Sequence, residues 1–240
     1  MRVVIVGAGS AIPYMEMAQT CILVEEKGCK ILVDAGIGAY LKLAQIGFDL
    51  SEIKAILLTH NHLDHNGDVL AILKARWLSG VKEELLIHGP AGTSNHFESL
   101  LEAYPYLRRK LSFRILEGKR EIEIEDFKIR TIPTKHSVES NGYMIDEKLI
   151  ISGDTSPVKE IFEKRCKLLI HELSLPFGFE SDDHTTPESI VELLRDAKAE
   201  KIVFIHLYPQ VYGMLDRVMK YLKEYNQNIT VAKDGDVFEV

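Results

Sequence analysis

Short runs of apolar, often β-branched residues recur along the whole chain, and polar residues and turn-forming residues separate them. Runs of this length and composition predict β-strands rather than helices. The predicted strands cover residues 3–6, 20–25, 30–33, 54–58, 84–88, 121–125, 127–132, 143–145, 149–152, 167–171, 201–205, 229–232 and 237–240. The early strands follow one another as hairpins, whereas the later ones alternate with segments of helical length.

The segments between strands predict helices at residues 37–46, 67–78, 93–103, 158–162, 187–197 and 210–225. The helix from Pro187 has a typical start, because Thr186 can cap it and proline suits the first helical position. Hairpins followed by strand–helix units predict an α/β fold of two stacked mixed sheets with helices outside. No repeat or linker is present, so residues 1–240 are predicted to form one domain. Residues 90–118 fit the alternation least well and are predicted to be an insertion that acts as a lid, a substrate wall or an oligomer contact.

The composition of the 240 residues, with 46% hydrophobic and 27% charged residues, indicates neither disorder nor a membrane span. The amino terminus lacks the apolar stretch of a signal peptide, so we expect a cytoplasmic protein without a membrane partner. A net charge of −7 argues against a protein that coats nucleic acid. The segment from Tyr104 to Arg120 interleaves basic and aromatic residues and could hold a phosphate backbone, but a solvated face is the favoured interpretation.

The most informative stretch is Thr59-His60-Asn61-His62-Leu63-Asp64-His65, which follows the apolar run at residues 55–58. Side chains alternate along a strand, so His60 and His62 leave the strand end on one face, and Asp64 and His65 follow as the chain turns away. Two ligand pairs then face two neighbouring points. Imidazole and carboxylate suit Zn²⁺, Mn²⁺ or Fe, and the thiolates of closed structural zinc sites are absent from the motif, so a catalytic metal is expected.

Further ligands are expected where later strands end. A single ligand-type side chain follows an apolar strand at each of four places: His136, Asp154, His171 and His206. Strand ends at one edge of a sheet are where α/β folds assemble their sites. His184 lies instead in a polar loop before a helix, where it is better placed as a mobile acid than as a ligand; a plain loop histidine is the alternative.

These motifs together resemble the metallo-β-lactamase superfamily, and within it the ribonuclease Z branch. Besides the histidine motif, the resemblance depends on the opening at residues 6–11, the strand at 31–36, Gly142-Tyr143, Gly153-Asp154-Thr155, His171-Glu172 and His184-Thr185-Thr186. The resemblance covers nearly the whole chain. It implies an αββα sandwich, the metallo-β-lactamase fold, with two metal ions at one edge.

The resemblance also implies roles for individual residues. His60, His62 and His136 would hold one metal, Asp64, His65 and His206 the other, with Asp154 bridging the two. His184 matches the position of the leaving-group acid, Asp34 would be structural, and His171 and Glu172 would belong to a supporting motif. Leu173-Ser174 and Leu207-Tyr208 depart from the branch's pattern, and no Gly-rich basic arm is present, which counts against transfer-RNA maturation.

We therefore expect a dinuclear metal hydrolase, a phosphodiesterase in which a metal-bridging hydroxide attacks phosphorus and Asp64 orients or deprotonates the water. Zn²⁺ is the first choice of metal, with Mn²⁺ or Fe as alternatives, and the substrate would be a small-molecule or nucleic-acid phosphodiester. The main rival is hydrolysis of carboxylic esters, lactones or sulfate esters at the same centre. A redox di-iron centre, which usually shows Glu where His62 stands, and a non-catalytic scaffold are weaker alternatives. A homodimer would let residues 90–118 of one subunit reach its neighbour.

Overall fold

Two mixed sheets of seven strands each form the centre of the computed structural model, which describes residues 1–240. The first sheet has the order β14-β1-β2-β3-β4-β5-β6, and its strands are Arg2–Gly7 (β1), Cys21–Glu26 (β2), Cys29–Val33 (β3), Ile53–Leu57 (β4), Leu85–Gly89 (β5), Phe113–Glu117 (β6) and Val237–Glu239 (β14). The second has the order β13-β12-β11-β10-β9-β8-β7, and its strands are Glu121–Ile124 (β7), Phe127–Pro133 (β8), Asn141–Ile145 (β9), Leu149–Ile151 (β10), Cys166–Glu172 (β11), Ala199–Ile205 (β12) and Ile229–Val231 (β13).

Eight α-helices and one 3₁₀ turn at Leu50–Glu52 connect these strands. The helices are Ala39–Gln45 (α1), Leu63–Asn66 (α2), Val69–Leu78 (α3), Thr93–Ala103 (α4), Lys159–Glu163 (α5), Pro187–Arg195 (α6), Pro209–Tyr212 (α7) and Leu215–Lys223 (α8). The predicted start of α6 is confirmed: the Thr186 hydroxyl accepts the Ser189 amide at 3.1 Å, and Pro187 is the first helical residue. No helix is long and apolar enough to cross a membrane.

Three apolar clusters follow from the alternation of side chains across the strands. The middle cluster lies between the sheets and contains residues such as Ile22 and Val24 of β2 and Ile145 of β9. The opposite face of the first sheet packs on α1, α3 and α4, and the opposite face of the second packs on α5, α6, α7 and α8. The layers therefore run helix, sheet, sheet, helix, and the predicted αββα sandwich is confirmed.

Each sheet combines antiparallel with parallel pairing. In the first, β3, β4, β5 and β6 are parallel neighbours; in the second, β10, β11, β12 and β13 are. The remaining pairs are antiparallel, so that β8 runs in the same direction as β10. Because the carboxyl ends of such strands meet at one edge, the polar residues that follow β4, β8, β10 and β12 are brought together there.

The structure differs from the predicted elements in three places. Residues 90–118 contain α4 and the additional strand β6, which pairs with β5 as the edge of the first sheet, so the segment is part of the sandwich. Its function as a lid or oligomer contact stays a prediction. The helix predicted at 210–225 is two helices separated at Gly213, and the predicted metal motif contains the short helix α2. Cys21, Cys29 and Cys166 are buried free thiols.

Candidate metal centre

The histidine motif lies where β4 ends, and α2 begins inside it at Leu63. The turn is held closely against residues 34–36, because the Ala35 amide donates to the His65 carbonyl at 2.7 Å. Gly36 is required at this contact: a Cβ there would lie 2.1 Å from the Asp64 carbonyl oxygen. The backbone at residues 34–36, directly after β3, therefore determines where Asp64 and His65 lie.

The first cluster consists of His60, His62 and His136, whose ligand atoms all lie within 4.8 Å of one another. The Nε2 atom of His136 is 3.1 Å from Nδ1 of His62. The Nδ1 atom of His136 donates to the Asp183 carbonyl oxygen at 2.9 Å. That hydrogen bond fixes the proton on Nδ1 and leaves a lone pair on the nitrogen that faces the cluster.

The second cluster consists of four buried residues, Asp64, His65, Asp154 and His206, whose ligand atoms also lie within 4.8 Å of one another. His206 Nε2 lies 3.1 Å from Asp64 Oδ2, and His65 Nε2 lies 3.4 Å from Asp154 Oδ1. Asp154 also reaches the first cluster, because its Oδ2 is 4.0 Å from His60 Nε2. The two clusters are therefore adjacent, with Asp154 between them.

Polar atoms in both clusters lack the partners that burial requires. His60 Nε2, His65 Nε2 and Asp154 Oδ1 are buried and make no hydrogen bond. An orphaned buried polar atom is costly, because it loses its hydration without a replacement. Lone pairs of imidazole and carboxylate that converge in this way fit divalent metal ions, which coordinate the same donor types.

The protonation of His60 and of Asp154 favours ligation. Burial and the neighbouring His65 lower the pKa of His60 well below its ordinary value, which keeps the imidazole neutral. Burial opposes ionisation of Asp154, but His206 and His65 outweigh it and hold the pKa of that carboxyl well below its usual range. His65 is the exception: burial lowers its pKa, but Asp154 and Asp34 outweigh burial and raise the pKa well above its ordinary value. A metal at the second cluster would bind His65 in exchange for that proton.

His184 lies at the margin of the centre and belongs to a third group with His136 and Asp154. Its Nδ1 atom is 3.0 Å from Glu172 Oε1, and its ring centroid is 5.0 Å from that of His136. Burial opposes protonation, but the hydrogen bond and charge of Glu172 raise the pKa of His184 to about 9. The structure thus places a protonated imidazole beside the ligand clusters.

His171 lies apart from both clusters. It is fully buried, its Nδ1 is 2.7 Å from the Glu172 carbonyl oxygen, and its ring packs on Phe162 at 5.1 Å between centroids. Of the residues that follow the later strands, the structure therefore brings His136, Asp154 and His206 to the motif, and keeps His171 in the core.

Two residues at the site have strained backbones. Asp34 and His206 have φ angles of 60° and 59°, a left-handed conformation that few non-glycine residues adopt. A strained backbone of this kind is retained only where contacts with the surrounding structure hold it in place, and it is often found at functional sites. Asp34 accepts the Thr59 amide and hydroxyl, both at 2.8 Å, and His65 Nδ1 at 2.8 Å. The residue therefore anchors side chains of the motif as well as its backbone.

Three groups near the centre were missed by the sequence analysis: the hydroxyls of Thr59 and Ser174 and the carbonyl of Asp183. They contact Nδ1 of His60 at 3.0 Å, of His206 at 2.9 Å and of His136 at 2.9 Å, respectively. A sequence signal existed only for Thr59, which is part of the motif. Serine is common everywhere, and a carbonyl carries no signal in the sequence.

A polar cavity of about 700 Å³ opens beside His136. Three cationic side chains, Lys119, Arg120 and Lys135, line it together with the carboxylates Glu139 and Asp182. On the other side of the motif, a groove of about 470 Å³ is lined by apolar and aromatic residues, among them Leu63, Leu70, Tyr104 and Tyr106.

The basic segment identified in the sequence is partly neutralised by its neighbours. Arg108 pairs with Glu98 at 2.8 Å, and Arg114 pairs with Glu84 at 3.2 Å. The Lys110 ammonium lies 4.6 Å from the centre of the Trp77 ring. These contacts support the interpretation of most of this segment as a solvated face, while Lys119 and Arg120 belong to the polar cavity.

Comparison with known proteins gives a consistent result. Residues 1–228 match the family model of the anti-Pycsar protein Apyc1. A ribonuclease Z of Methanosarcina acetivorans is 22% identical, with 98% of this chain and 96% of that protein covered. A ribonuclease Z of Mycolicibacterium gilvum is 31% identical, with 66% of this chain and 63% of that protein covered.

Solved structures share the fold. The metallo-β-lactamase fold protein YhfI of Bacillus subtilis superposes with a TM-score of 0.84 at 21% identity and covers 100% of this chain and 98% of its own. The short form of human tRNase Z superposes with a TM-score of 0.80 at 21% identity and covers 100% of this chain and 98% of its own.

The superpositions on YhfI and on human tRNase Z both extend over nearly the full length of the compared chains. They establish the shared sandwich, and the family match over residues 1–228 includes every residue of the two clusters. The chain therefore belongs to the family of the anti-Pycsar protein Apyc1, among the ribonuclease Z-like metal-dependent hydrolases of the metallo-β-lactamase superfamily.

Proposed function

We propose that this chain is a dinuclear metal-dependent phosphodiesterase. His60, His62 and His136 would bind one metal, Asp64, His65 and His206 the other, and Asp154 both. The observation that carries the proposal is the pair of adjacent clusters, in which Asp154 lies between buried ring nitrogens that have no hydrogen-bond partner. The relatives named ribonuclease Z support the same reaction class, because a ribonuclease cleaves phosphodiester bonds.

Two bound divalent ions would lower the pKa of a water molecule and neutralise the negative charge that develops on the phosphoryl oxygens. We propose Zn²⁺ as the metal, because imidazole and carboxylate ligands suit it, with Mn²⁺ and Fe as the alternatives. Metal analysis of the purified protein distinguishes the three.

Asp64 is proposed to orient the attacking water and to accept its proton. Burial opposes ionisation, but the neighbouring His206 and His65 lower the pKa of Asp64, so the side chain is a carboxylate that can accept. Its Oδ2 lies 3.1 Å from His206 Nε2, at the second cluster. The same side chain would thus hold a metal and position the nucleophile.

His184 is proposed to protonate the leaving oxygen. Glu172 Oε1 accepts Nδ1–H of His184, so the proton to be donated is the one on Nε2. When that proton moves to the departing oxygen, the imidazole becomes neutral and keeps its hydrogen bond to the carboxylate. A plain loop histidine, the alternative interpretation of the sequence, would not explain why His184 contacts the carboxylate of Glu172, which is only 1% exposed.

The substrate is proposed to be a phosphodiester of a small molecule or a nucleic acid. The cavity beside His136 supports this, because three cationic side chains line it: Lys119, Arg120 and Lys135. This group of cations contrasts with the chain as a whole, whose net charge is −7. Guanidinium and ammonium groups are suited to phosphate oxygens. Carboxylic esters, lactones and sulfate esters are the rival substrates, because metal geometry alone does not select the electrophile.

Metal content and an activity panel on the same preparation test the proposal. We expect about two metal ions per chain and faster hydrolysis of bis-p-nitrophenyl phosphate than of an aryl ester, a lactone or an aryl sulfate. Preference for one of the other three substrates would identify the rival activity. Metal-loaded protein that turns over none of them would favour the non-catalytic scaffold.

We also propose that the protein forms a homodimer. Tyr104 and Tyr106, in the segment 90–118, are about half exposed, and Leu63 is 67% exposed beside the motif. Apolar side chains grouped at a surface favour association. Light scattering during size-exclusion chromatography tests this, with twice the mass of one chain as the expected result.

A further inference from the structure

Glu172 is a buried carboxylate that accepts hydrogen bonds on both oxygens. Its Oε1 accepts the backbone amides of Thr155 and Thr185, both at 3.1 Å, and Nδ1 of His184 at 3.0 Å. Its Oε2 accepts the amide of Ser174 at 2.7 Å and the hydroxyl of the same residue at 2.6 Å. This single side chain therefore fixes the loop after β10, the loop that carries His184 and the end of β11.

The Ser174 hydroxyl connects this carboxylate to the second metal cluster. Its oxygen lies 2.6 Å from Glu172 Oε2 and 2.9 Å from Nδ1 of His206. An ionised carboxylate can only accept, so the hydroxyl proton is donated to Glu172. The hydroxyl oxygen then accepts Nδ1–H of His206, which leaves the lone pair on Nε2, the nitrogen that lies 3.1 Å from Asp64.

The same arrangement occurs a second time, on the first sheet. The Thr59 hydroxyl donates to Asp34 Oδ2 at 2.8 Å and lies 3.0 Å from Nδ1 of His60. Asp34 Oδ2 also accepts Nδ1 of His65 at 2.8 Å. Each of the two buried carboxylates thus holds one histidine directly and a second one through a hydroxyl. Their recurrence on two different sheets is difficult to explain by packing alone.

We propose that Glu172 is a positioning residue shared by His206 and His184, and that it reaches His206 through the Ser174 hydroxyl. The inference rests on the proposed function, because it takes His206 as a metal ligand and His184 as the proton donor. Outer partners of this kind orient a ligand and fix its tautomer. A change that shifts the Glu172 carboxylate therefore alters metal affinity and leaving-group protonation together.

Ser174→Ala is the decisive variant. Replacing Glu172 itself would leave several buried donors without an acceptor, and loss of folding would reveal nothing. Ser174→Ala removes only the hydroxyl link, and Ser174→Thr keeps it. Ser156→Ala is the matched control, because Ser156 is a buried serine at the same sheet edge whose hydroxyl makes no hydrogen bond to Glu172, His184 or His206.

Three measurements are made on each variant. Competition with a chromophoric chelator gives the zinc affinity of both sites, and the absorption spectrum of the Co²⁺-loaded protein reports ligand geometry. A series of aryl phosphodiesters with leaving groups of increasing pKa gives the dependence of kcat on the leaving group.

For Ser174→Ala we expect one zinc site to weaken by about ten- to hundred-fold, a changed Co²⁺ spectrum and a steeper leaving-group dependence. Ser174→Thr should restore all three properties, and Ser156→Ala should match the unmodified protein. Unchanged zinc affinity in Ser174→Ala would overturn the inference, and so would weakened affinity with an unchanged leaving-group dependence. In either case the proposed function stands as long as the unmodified protein binds two metals and hydrolyses the diesters; failure of that protein to do so would contradict the function itself.

Discussion

His184 lies outside the two proposed ligand sets, and its Nδ1 donates to the Glu172 carboxylate at 3.0 Å. His184→Ala removes the proposed proton donor but none of the seven proposed ligands. We expect metal content to be retained and kcat to fall by about 10²- to 10⁴-fold for diesters with poor leaving groups. The loss should be much smaller for p-nitrophenyl esters, whose leaving group needs no proton.

The corresponding control is His96→Ala, which removes a partly buried histidine of α4 outside both clusters. It should leave the ratio of the two rates unchanged. Equal losses for activated and unactivated diesters in His184→Ala would contradict the acid assignment and indicate a structural contribution from the imidazole.

Thr59 illustrates how one hydroxyl can orient a ligand. Its side chain is fully buried, donates to Asp34 at 2.8 Å and lies 3.0 Å from Nδ1 of His60. Thr59→Val keeps the shape and removes both hydrogen bonds. We expect zinc affinity to fall by about tenfold or more and the free energy of unfolding to fall by about 1–3 kcal/mol. Thr59→Ser, measured alongside by chelator competition and urea unfolding, should lie close to the unmodified protein. A valine variant with full zinc affinity would mean that the hydroxyl does not orient His60.

At the scale of elements, the contact between residues 34–36 and α2 places half of the metal motif. Gly36→Ala introduces a Cβ 2.1 Å from the Asp64 carbonyl oxygen, so the backbone has to move. Because α2 carries Asp64 and His65, we expect weaker zinc binding at the second cluster with less effect on the first. Gly28→Ala is the control, since a Cβ there meets no atom within 4 Å. Its φ of 86° still disfavours alanine, so that variant reports backbone strain without a clash at the motif.

Some elements could be predicted from the sequence, and others could not, for physical reasons. Strand β6 was missed because it is an edge strand, Phe113–Glu117, whose residues are half-buried or exposed and include two charged side chains. Helix α2 has four residues, too few for a helical period to be visible. The break between α7 and α8 lies at Gly213, which the apolar pattern from 210 to 225 concealed. The strand ends followed by His136, Asp154 and His206 were evident, because a lone ligand-type residue after a buried strand is unusual.

The two sheets are joined in the whole molecule by a buried polar contact as well as by apolar packing. His88 of β5 lies 2.9 Å from the Tyr143 hydroxyl of β9, and its Nε2 lies 3.0 Å from the Lys119 carbonyl oxygen. Burial lowers the pKa of His88 from its ordinary value of 6.5. The unfolded chain therefore takes up a proton near pH 6.5 that the folded protein resists. The stability associated with neutral His88 is present above this pH and is lost as the pH falls below it.

We expect His88→Gln to be less sensitive to acid than the unmodified protein. Urea unfolding of both metal-free proteins at pH 7.5 and 5.5 measures this, and the unmodified protein should lose about 1 kcal/mol more between the two. Other acid-sensitive groups affect both proteins alike and cancel in the difference. Parallel losses would show that His88 accepts its proton in the folded state.

Metal binding is expected to stabilise the sandwich as a whole, because the ligands come from both sheets. Each metal that binds only the folded state, at a free concentration a thousand times its dissociation constant, stabilises it by about 4 kcal/mol. Chelation should therefore lower Tm by about 10 °C per site in a protein of this size, and added Zn²⁺ should restore it. His206→Ala, which lacks a ligand of the second cluster only, should show a smaller shift on chelation. If chelation removes the metal without changing Tm, the metal-free protein is as stable as the metal-loaded one. The burial of Asp64 and Asp154 would then be compensated by protons shared with the neighbouring histidines.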